Sequence, residues 1–592
     1  MNNMSNLTGK PSVDRPWLKY YPEQLRQMIK EPKCTVLEYL KSYCPGEDVA
    51  AIDFYGKEVL WKTVFDQTEK VARSLRAMGF KEGDQIPVFL LSVPEFIPIL
   101  LAAEKIGASL ICRDNTIQEN VEAVAKSGAK AMIAHDYLSQ QELEKYLSET
   151  DVEKVILVKA CTSCDFEDLP DYVQKSLKER YSSESAHGSA VISWEDFLMM
   201  GDSYTGIVEA PVDIHRPLFR AYTSGSTGPS KQVTHSAHTM LSVVAQMNFY
   251  AGGDGFRPNL LITSLPPCLV AVVVSMYLMA LSSNKLLILA PFCRVEDVDL
   301  EMMRTRPTFW PIIPIFMETV MRNGRIPDDY DMSHLQAAGV GSESYNNTQM
   351  KNAQEFLRAH NCNIRLTTGY GSSEAGSNVS MPMTPHPMGY GNVGVPTYFN
   401  TISIFEPGTQ NELTYNVLGE VCISGPGLML GYDNPEATAK TLQVHEDGMT
   451  WLHTGDIGFM NEDGVLYVQT RGTAPRYGGG DLATLPMENV IADAEIEGID
   501  DEFFVVVPDS THPGYYVPYL YIVPKEGYTV ADLEDEIREC LEAYMQPVEI
   551  IEIAARPFFH FKTNRIGLAR ELLQDRNFKF GSIIKANREA RA

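Results

Sequence analysis

Amphipathic helical stretches alternate with short apolar runs through the first 200 residues. V-F-D-Q-T-E-K-V-A-R-S-L-R-A-M-G-F (Val64 to Phe80) and E-F-I-P-I-L-L-A-A-E-K-I-G-A (Glu95 to Ala108) carry helical patterning, and Q-I-P-V-F-L-L-S and L-I-C-R-D have strand length. Gly79 and Gly107 punctuate the two helix ends. Strand and helix alternating at this spacing predicts α/β layers around a mainly parallel sheet. The polar stretch S-S-E-S-A-H-G-S (Ser182 to Ser189) reads as a surface loop.

The texture changes twice further on. From about Gly391 to Asp456, short strands with Gly and Pro turns (T-I-S-I-F-E-P-G-T, G-E-V-C-I-S-G-P-G) predict a smaller β-rich subdomain. Beyond Arg471 come Y-G-G-G-D, then F-F-V-V-V-P-D, Y-V-P-Y-L-Y-I-V-P and the helix D-L-E-D-E-I-R-E-C-L-E-A-Y. That is enough for a compact α+β lid. The boundary is expected near Gly472 to Arg476, giving an N-terminal domain 1–472 and a C-terminal lid 473–592.

One run tests whether the chain is soluble. Pro258 to Asn284 contains no charged residue, and its length alone would span a bilayer. Pro266 and Pro267 interrupt its first half, and the apolar remainder, Leu269 to Leu281, suits a buried helix or a pocket wall. No membrane span is expected. The N-terminus has no apolar signal region. Ten scattered cysteines do not make a disulfide framework and point to a reducing, cytoplasmic compartment. Cys161 and Cys164 form a lone C-x-x-C without a second pair, read as a loop rather than a metal site.

Composition narrows the partners. The 592 residues are 44% hydrophobic and 21% charged, ordinary for a globular chain of several domains. The formal charge of −27 repels nucleic-acid phosphates and anionic lipid, so no nucleic-acid partner is expected. A local basic site for a small anion remains allowed.

The strongest chemical string is Y-T-S-G-S-T-G-P-S-K, Tyr222 to Lys231. Backbone N–H groups, hydroxyls and one cation in such a loop suit a phosphate. It is not a P-loop, because Ser230 and Gln232 stand where that pattern needs Gly and Ser or Thr. G-Y-G-S-S-E (Gly369 to Glu374) adds an aromatic face for a purine and a carboxylate for Mg2+. G-E-V-C-I-S-G-P-G-L-M-L-G-Y follows at Gly419 to Tyr432. W-L-H-T-G-D-I-G ends in a turn whose Asp456 can accept from ribose hydroxyls, and N-E-D-G-V-L-Y-V-Q-T-R delivers Arg471.

In this order, these strings resemble the core motifs of the adenylate-forming superfamily: acyl- and aryl-CoA synthetases, adenylation domains of nonribosomal peptide synthetases, and firefly luciferase. The similarity runs from about Trp17 to Leu573, and R-P-W-L-K-Y-Y-P resembles the start of bacterial long-chain acyl-CoA synthetases. The resemblance implies a large N-terminal domain of two α/β layers plus a barrel-like β subdomain, with a small mobile C-terminal domain. It also implies that ATP and a carboxylic acid give an acyl adenylate, which a thiol, CoA or a carrier protein's phosphopantetheine, then attacks. Carried onto matching positions, Thr223, Ser224, Gly225, Ser226, Thr227, Gly228 and Lys231 would hold the β/γ-phosphates. Tyr370, between Gly369 and Gly371, would stack on adenine, with Gly341, Ser342 and Glu343 along its edge. Ser373 would approach the α-phosphate, Ser372 would belong to the nucleotide-binding string, Glu374 would ligate Mg2+, and Asp456 with Arg471 would bind ribose.

Two departures fall in the lid. The family's P-x-T-x-x-G-K lysine, which bridges the reacting carboxylate and the α-phosphate, is matched by F-K-T-N-R-I-G-L-A-R, with Thr563 and Gly567 present but Leu568 in the lysine slot. Losing a positioned cation costs roughly 10²- to 10³-fold in rate, and Lys562, Arg565 and Arg570 are the candidate replacements. At the hinge, T-R-G-T-A-P-R-Y-G-G-G-D places Ala474 and Pro475 where relatives have a G-R-x-x-D segment, and proline restricts rotation there. Gly478 to Gly480 resemble the loop lining the pantetheine tunnel.

Three readings therefore stand: an acid–thiol ligase with relocated cations, a homologue using a preformed adenylate or a non-thiol acceptor, and a nucleotide- or acyl-binding protein with little turnover. The stretch S-L-P-P-C-L-V-A-V-V-V-S-M-Y-L-M contains no acid to hold a substrate ammonium. An apolar fatty or aryl acid is the expected substrate.

Overall fold

The computed structural model describes residues 7–575 apart from 114–115, 182, 224–229, 249–258, 384, 387–388, 472–475, 478–479, 513–514 and 560–561. The protein is α/β, with two large sheets built from the alternation of helix and strand. In the eight-stranded sheet the spatial order is Gly431–Tyr432, Gln232–Ser236, Pro217–Tyr222, Ser109–Cys112, Gln85–Phe89, Ala131–His135, Lys154–Val158 and Val191–Ser193. Pairing is parallel from Pro217–Tyr222 onward and antiparallel at the Gln232–Ser236 end. The seven-stranded sheet runs parallel from Thr367–Thr368 through Ala50–Phe54 and closes with the antiparallel strand Lys57–Leu60.

The helix expected at Val64–Phe80 forms at Trp61–Ala77, burying Trp61, Val64, Val71, Ala72 and Leu75, a three-to-four spacing that lays one apolar stripe on the core. The next helix, Phe96–Ile106, is buried nearly all round and stops at Gly107, whose φ of 75° is a left-handed C-terminal cap. The uncharged run Pro258–Asn284 becomes a core strand, Asn259–Thr263, then a π-helical turn, Val272–Leu278, that continues as the α-helix Met279–Ser282. Prolines before it and the strand Leu286–Ala290 after it keep the helix short. No helix among the described residues is long and apolar enough to cross a membrane.

The β-rich part is an open sheet, not the barrel-like closure expected. Thr401–Phe405, Gly419–Ser424, Thr450–Met460 and Leu442–Val444 lie in that order, and Leu466–Arg471 also pairs with Thr450–Met460. The cause is the 11-residue strand Thr450–Met460, which gives its first residues to Leu442–Val444 and its last to Leu466–Arg471. A strand that splits one edge between two partners flares the sheet instead of closing it. Trp17 and Tyr21, from the N-terminal segment, pack into this subdomain's core, and the Tyr21 hydroxyl donates to the Pro396 carbonyl at 2.8 Å.

A separate core forms from 482–573, where Ile499–Pro508 and Tyr516–Pro524 pair antiparallel and Ile550–Glu552 adds in parallel. Leu568, in the slot where relatives carry lysine, packs against this core.

Phe96 is fully buried and meets Tyr277 of the π-helical turn edge-on, with centroids 6.0 Å apart. Phe96→Ala is expected to destabilise the large domain by about 3–5 kcal/mol, read as a shift in its urea midpoint, and Phe96→Leu by less than half of that. A negligible shift for Phe96→Ala would contradict this packing.

Candidate functional site

The strand Gln232–Ser236 gathers the site because it is paired antiparallel on both edges. On one edge Tyr222 lies opposite Gln232, and the hairpin neck is closed by Thr223 N–H donating to the Lys231 carbonyl (2.9 Å) and Lys231 N–H donating to Thr223 Oγ1 (3.0 Å). Ser224 to Gly228, the remainder of the phosphate-loop string, lie outside the described residues. On the other edge Tyr432 lies opposite Val233. This register puts the Lys231 ammonium over the Tyr432 ring, 4.7 Å from its centroid, a cation–π contact. The Tyr432 hydroxyl donates to Glu374 Oε1 at 2.7 Å. Lys231, Tyr432 and Glu374, from three separate strings, thus form one cluster.

The same strand fixes the residue before Glu374. His235 is fully buried, and its Nε2 lies 2.7 Å from the Ser373 carbonyl, which only accepts, so Nε2 carries the proton. Burial pushes the imidazole down to about 4, and it is neutral at pH 7.

Tyr370 leads into a tight hairpin in which Gly371 opposes Asn378. A Cβ at Gly371 would sit 1.8 Å from the Ser377 carbonyl oxygen, so only glycine fits. The Tyr370 hydroxyl donates to Asp456 Oδ2 at 2.5 Å, and Asp456 is paired with Arg471 across adjacent strands. Tying the phenol to a carboxylate orients the flat ring beside an acceptor, the pairing of groups that an adenine and a ribose require. The Glu374 carboxylate has acceptor positions beyond its one phenol bond, and hard oxygen donors of this kind fit Mg2+.

The C-terminal core, 482–573, meets the rest of the chain at Glu343. Thr563 donates its backbone N–H and its hydroxyl to Glu343 Oε2 at 2.8 and 2.9 Å. Arg565 bridges Glu343 Oε1 and Glu488 Oε1, at 2.5 and 2.9 Å, and its Nε donates to the Phe504 carbonyl at 3.2 Å. Behind it the buried Arg556 forks onto Asp501 at 2.6 and 2.8 Å and reaches Thr563 Oγ1 at 3.2 Å. Burial alone would raise the Glu343 pKa, but the Arg565 guanidinium and the Thr563 N–H hold it below the usual carboxylate range. Ser342, next to it, has a φ of 72°, a left-handed backbone uncommon for a non-glycine residue. Asn346 and Asn347 extend the junction to the Glu502 carbonyl and the Asn489 side chain.

The three candidate cations differ in placement. Arg565 is engaged by two carboxylates and a carbonyl. Lys562 adjoins the pinned Thr563, at the junction itself. Arg570 lies in the last turn of the helix Arg565–Leu572. Hinge residues 472–475, with Gly478 and Gly479, lie outside the described residues. Sequence reading missed His235, Arg556, Asp501 and Glu488, because none belongs to a string with a chemical pattern. It also assigned Glu343 to adenine without the lid contact seen here.

The family described as AMP-binding enzyme matches residues 42–433. The chain is 26% identical over 488 residues to 4-coumarate–CoA ligase 2 of Nicotiana tabacum, covering 80% of this chain and 81% of that one. It is 27% identical over 491 residues to 4-coumarate–CoA ligase of Vanilla planifolia, covering 80% of each. In structure it resembles ATP-bound MatB from Rhodopseudomonas palustris, with a TM-score of 0.72 at 17% identity over 91% of this chain and 99% of that one. It also resembles the anthranilate CoA ligase AuaEII in complex with anthranoyl-AMP, with a TM-score of 0.73 at 16% identity over 91% and 97%.

Two outcomes follow from this geometry. Glu343→Gln removes the charge that holds Arg565, an interaction in the buried-pair range of about 3 kcal/mol, so the Thr563 amide should exchange hydrogen roughly 10²-fold faster; unchanged exchange would contradict the latch. His235, neutral when folded, favours the unfolded state once protons bind there. Its contribution is complete above pH 6.5 and is lost as pH falls toward about 4. Thermal melts should show an acid loss of roughly 3 kcal/mol, and His235→Gln should flatten that part of the profile.

Proposed function

The chain belongs to the AMP-binding enzymes and is an AMP-forming acid–thiol ligase, and from that premise we propose that it activates an apolar fatty or aryl acid as an adenylate and passes the acyl group to CoA. The observation that supports this most is the cluster of Lys231, Tyr432 and Glu374, with the Tyr370–Asp456 pair formed by the same Gly369–Glu374 string. In this reading adenine stacks on Tyr370 with Gly341 and Ser342 along its edge, and Asp456 and Arg471 take the ribose hydroxyls. The phosphates lie along Thr223–Gly228 and Lys231, with Ser373 at the α-phosphate. Glu374 would hold Mg2+, which when bound neutralises triphosphate charge.

The acid's carboxylate oxygen attacks the α-phosphorus, and pyrophosphate leaves. A thiol sulfur then attacks the acyl carbon, and AMP leaves. We take 1–472 as the adenylating part and 473–592 as the lid that completes it. Lys562 is our choice for the missing cation, because it adjoins Thr563, which contacts Glu343, whereas Arg570 lies in the last turn of the helix Arg565–Leu572 and Leu568 packs against the C-terminal core. A cation there balances the charge that develops between the two anions as they meet.

The acid's character follows from the uncharged helix Val272–Ser282, where Ser275 is bonded to Ser377 of the Tyr370 hairpin at 2.5 Å. That places an acid-free, apolar wall beside the hairpin, where a substrate ammonium would go unpaired. Relatives named for 4-coumarate and anthranilate favour the aryl end of the range. Ten free thiols suit a reducing, cytoplasmic setting. CoA, rather than a carrier protein, is the acceptor this reading adopts.

With ATP, Mg2+ and a panel of aryl and C2 to C18 acids, acyl-AMP and pyrophosphate should form, and acyl-CoA on adding CoA. Lys562→Ala should lower the adenylation rate roughly 10²- to 10³-fold with little change in the KM for ATP. Tight ATP binding without product from any acid would overturn the reading, and turnover of synthetic acyl-AMP alone would mark a preformed-adenylate user.

A further inference from the structure

The turn that carries Ser373 and Glu374 is gripped from behind by one imidazole. His235 Nε2 donates to the Ser373 carbonyl at 2.7 Å, and the ring is fully buried. The same carbonyl accepts the Gly376 N–H only at 3.3 Å, longer than an ordinary N–H···O bond. The Ser373 C=O and the Glu374 N–H belong to one planar trans peptide and point in opposite directions. Holding the carbonyl on His235 therefore aims the Glu374 N–H away from the imidazole. It also sets the plane of the two Cα atoms from which the Ser373 and Glu374 side chains leave.

The ring is itself held in place. Its Nδ1 lies 3.1 Å from Thr239 Oγ1, and that oxygen accepts the Ser236 N–H at 3.0 Å. Thr239 sits in the first turn of the helix Ala237–Met247, and its own N–H returns to Ser236 Oγ at 3.2 Å. A helix cap fixes the ring, and the ring fixes the peptide.

The far side of the turn has other supports. The Glu374 carbonyl accepts the Met429 N–H at 2.8 Å. A Cβ at Gly376 would sit 2.6 Å from the Gly427 carbonyl oxygen and 3.2 Å from Val243 Cγ2, so the chain is closely packed there. Removing the imidazole bond would free the Ser373–Glu374 peptide while these contacts keep the turn. Core filling explains a buried ring, but not its choice of this one carbonyl.

Resting on the reaction proposed above, we propose that His235 is a positioning residue. Through the Ser373–Glu374 peptide it holds the Ser373 hydroxyl toward the α-phosphate and the Glu374 carboxylate toward the metal. It acts only through that peptide. Partners of this outer kind change metal affinity or activity by roughly 10- to 10²-fold when they are lost.

Two substitutions separate the two bonds of the ring. Gln sets its amide nitrogen near the place of Nε2 and keeps a donor for Ser373. Asn sets its amide near Nδ1 and keeps a partner for Thr239 alone. Full-length wild type and both variants, each shown to be folded by its thermal transition, are titrated calorimetrically with ATP at a series of Mg2+ concentrations. His235→Asn should raise the Mg2+ needed for ATP binding, and lower kcat for acyl adenylate, each by roughly 10- to 10²-fold. ATP binding without Mg2+ should change little, and His235→Gln should recover most of both losses. Equal losses in the two variants, or none in folded His235→Asn, overturn the proposal. If neither variant folds, the wild-type structure with ATP bound decides. The Ser373 carbonyl should remain on His235 with the Ser373 hydroxyl at the α-phosphate, and a carbonyl turned away overturns the proposal. Wild type that binds Mg2+ and ATP but makes no acyl adenylate sinks the reaction and leaves the binding comparison to decide this role. Wild type that binds no ATP overturns both.

Discussion

Pairing of the strand Gln232–Ser236 on both of its edges is the constraint from which the rest of the site follows. A five-residue strand places successive side chains on opposite faces, so its register decides what meets what. With Tyr222 opposite Gln232 and Val233 opposite Tyr432, Lys231 comes over the Tyr432 ring and His235 reaches the Ser373 carbonyl. A slip of one residue would turn His235 away from Ser373 and take Tyr432 out of reach of Glu374. Strings separated by some 200 residues become one surface because this strand is shared between them.

The C-terminal core, 482–573, is positioned by a different kind of force. Its contacts with the rest of the chain include the ion pairs Arg565–Glu343, Arg322–Asp500 and Lys351–Glu495, and behind the first of them the buried pair Arg556–Asp501 braces the segment from within. Buried ion pairs add little net stability over apolar packing, but they are unforgiving of misplacement. Contacts of this kind specify one arrangement of the groups that make them.

Much of the fold was legible, because helical periodicity and strand-length apolar runs report burial directly: the helix at Trp61–Ala77 lies within a turn of where its pattern placed it. The open β sheet was not. Nothing in T-W-L-H-T-G-D-I-G-F-M marks a strand that changes partner halfway along. In the site, Tyr370, Glu374 and Asp456 stood out because each sits in a glycine-bounded string whose spacing has a chemical purpose. Arg556 and Asp501 did not, since a buried ion pair 55 residues apart in sequence leaves no local pattern. Leu568 was read as a missing lysine, and its packing in the lid core gives the physical reason: the chain there serves the core, and the neighbouring Thr563 is what faces the large domain.

The most direct test of the account is a crystal structure of the full chain with ATP bound. The expected result has the purine against the Tyr370 ring, the ribose hydroxyls on Asp456, and the triphosphate between Lys231 and Glu374. A nucleotide bound elsewhere, or seated there with its phosphates pointing away from Lys231, would contradict it.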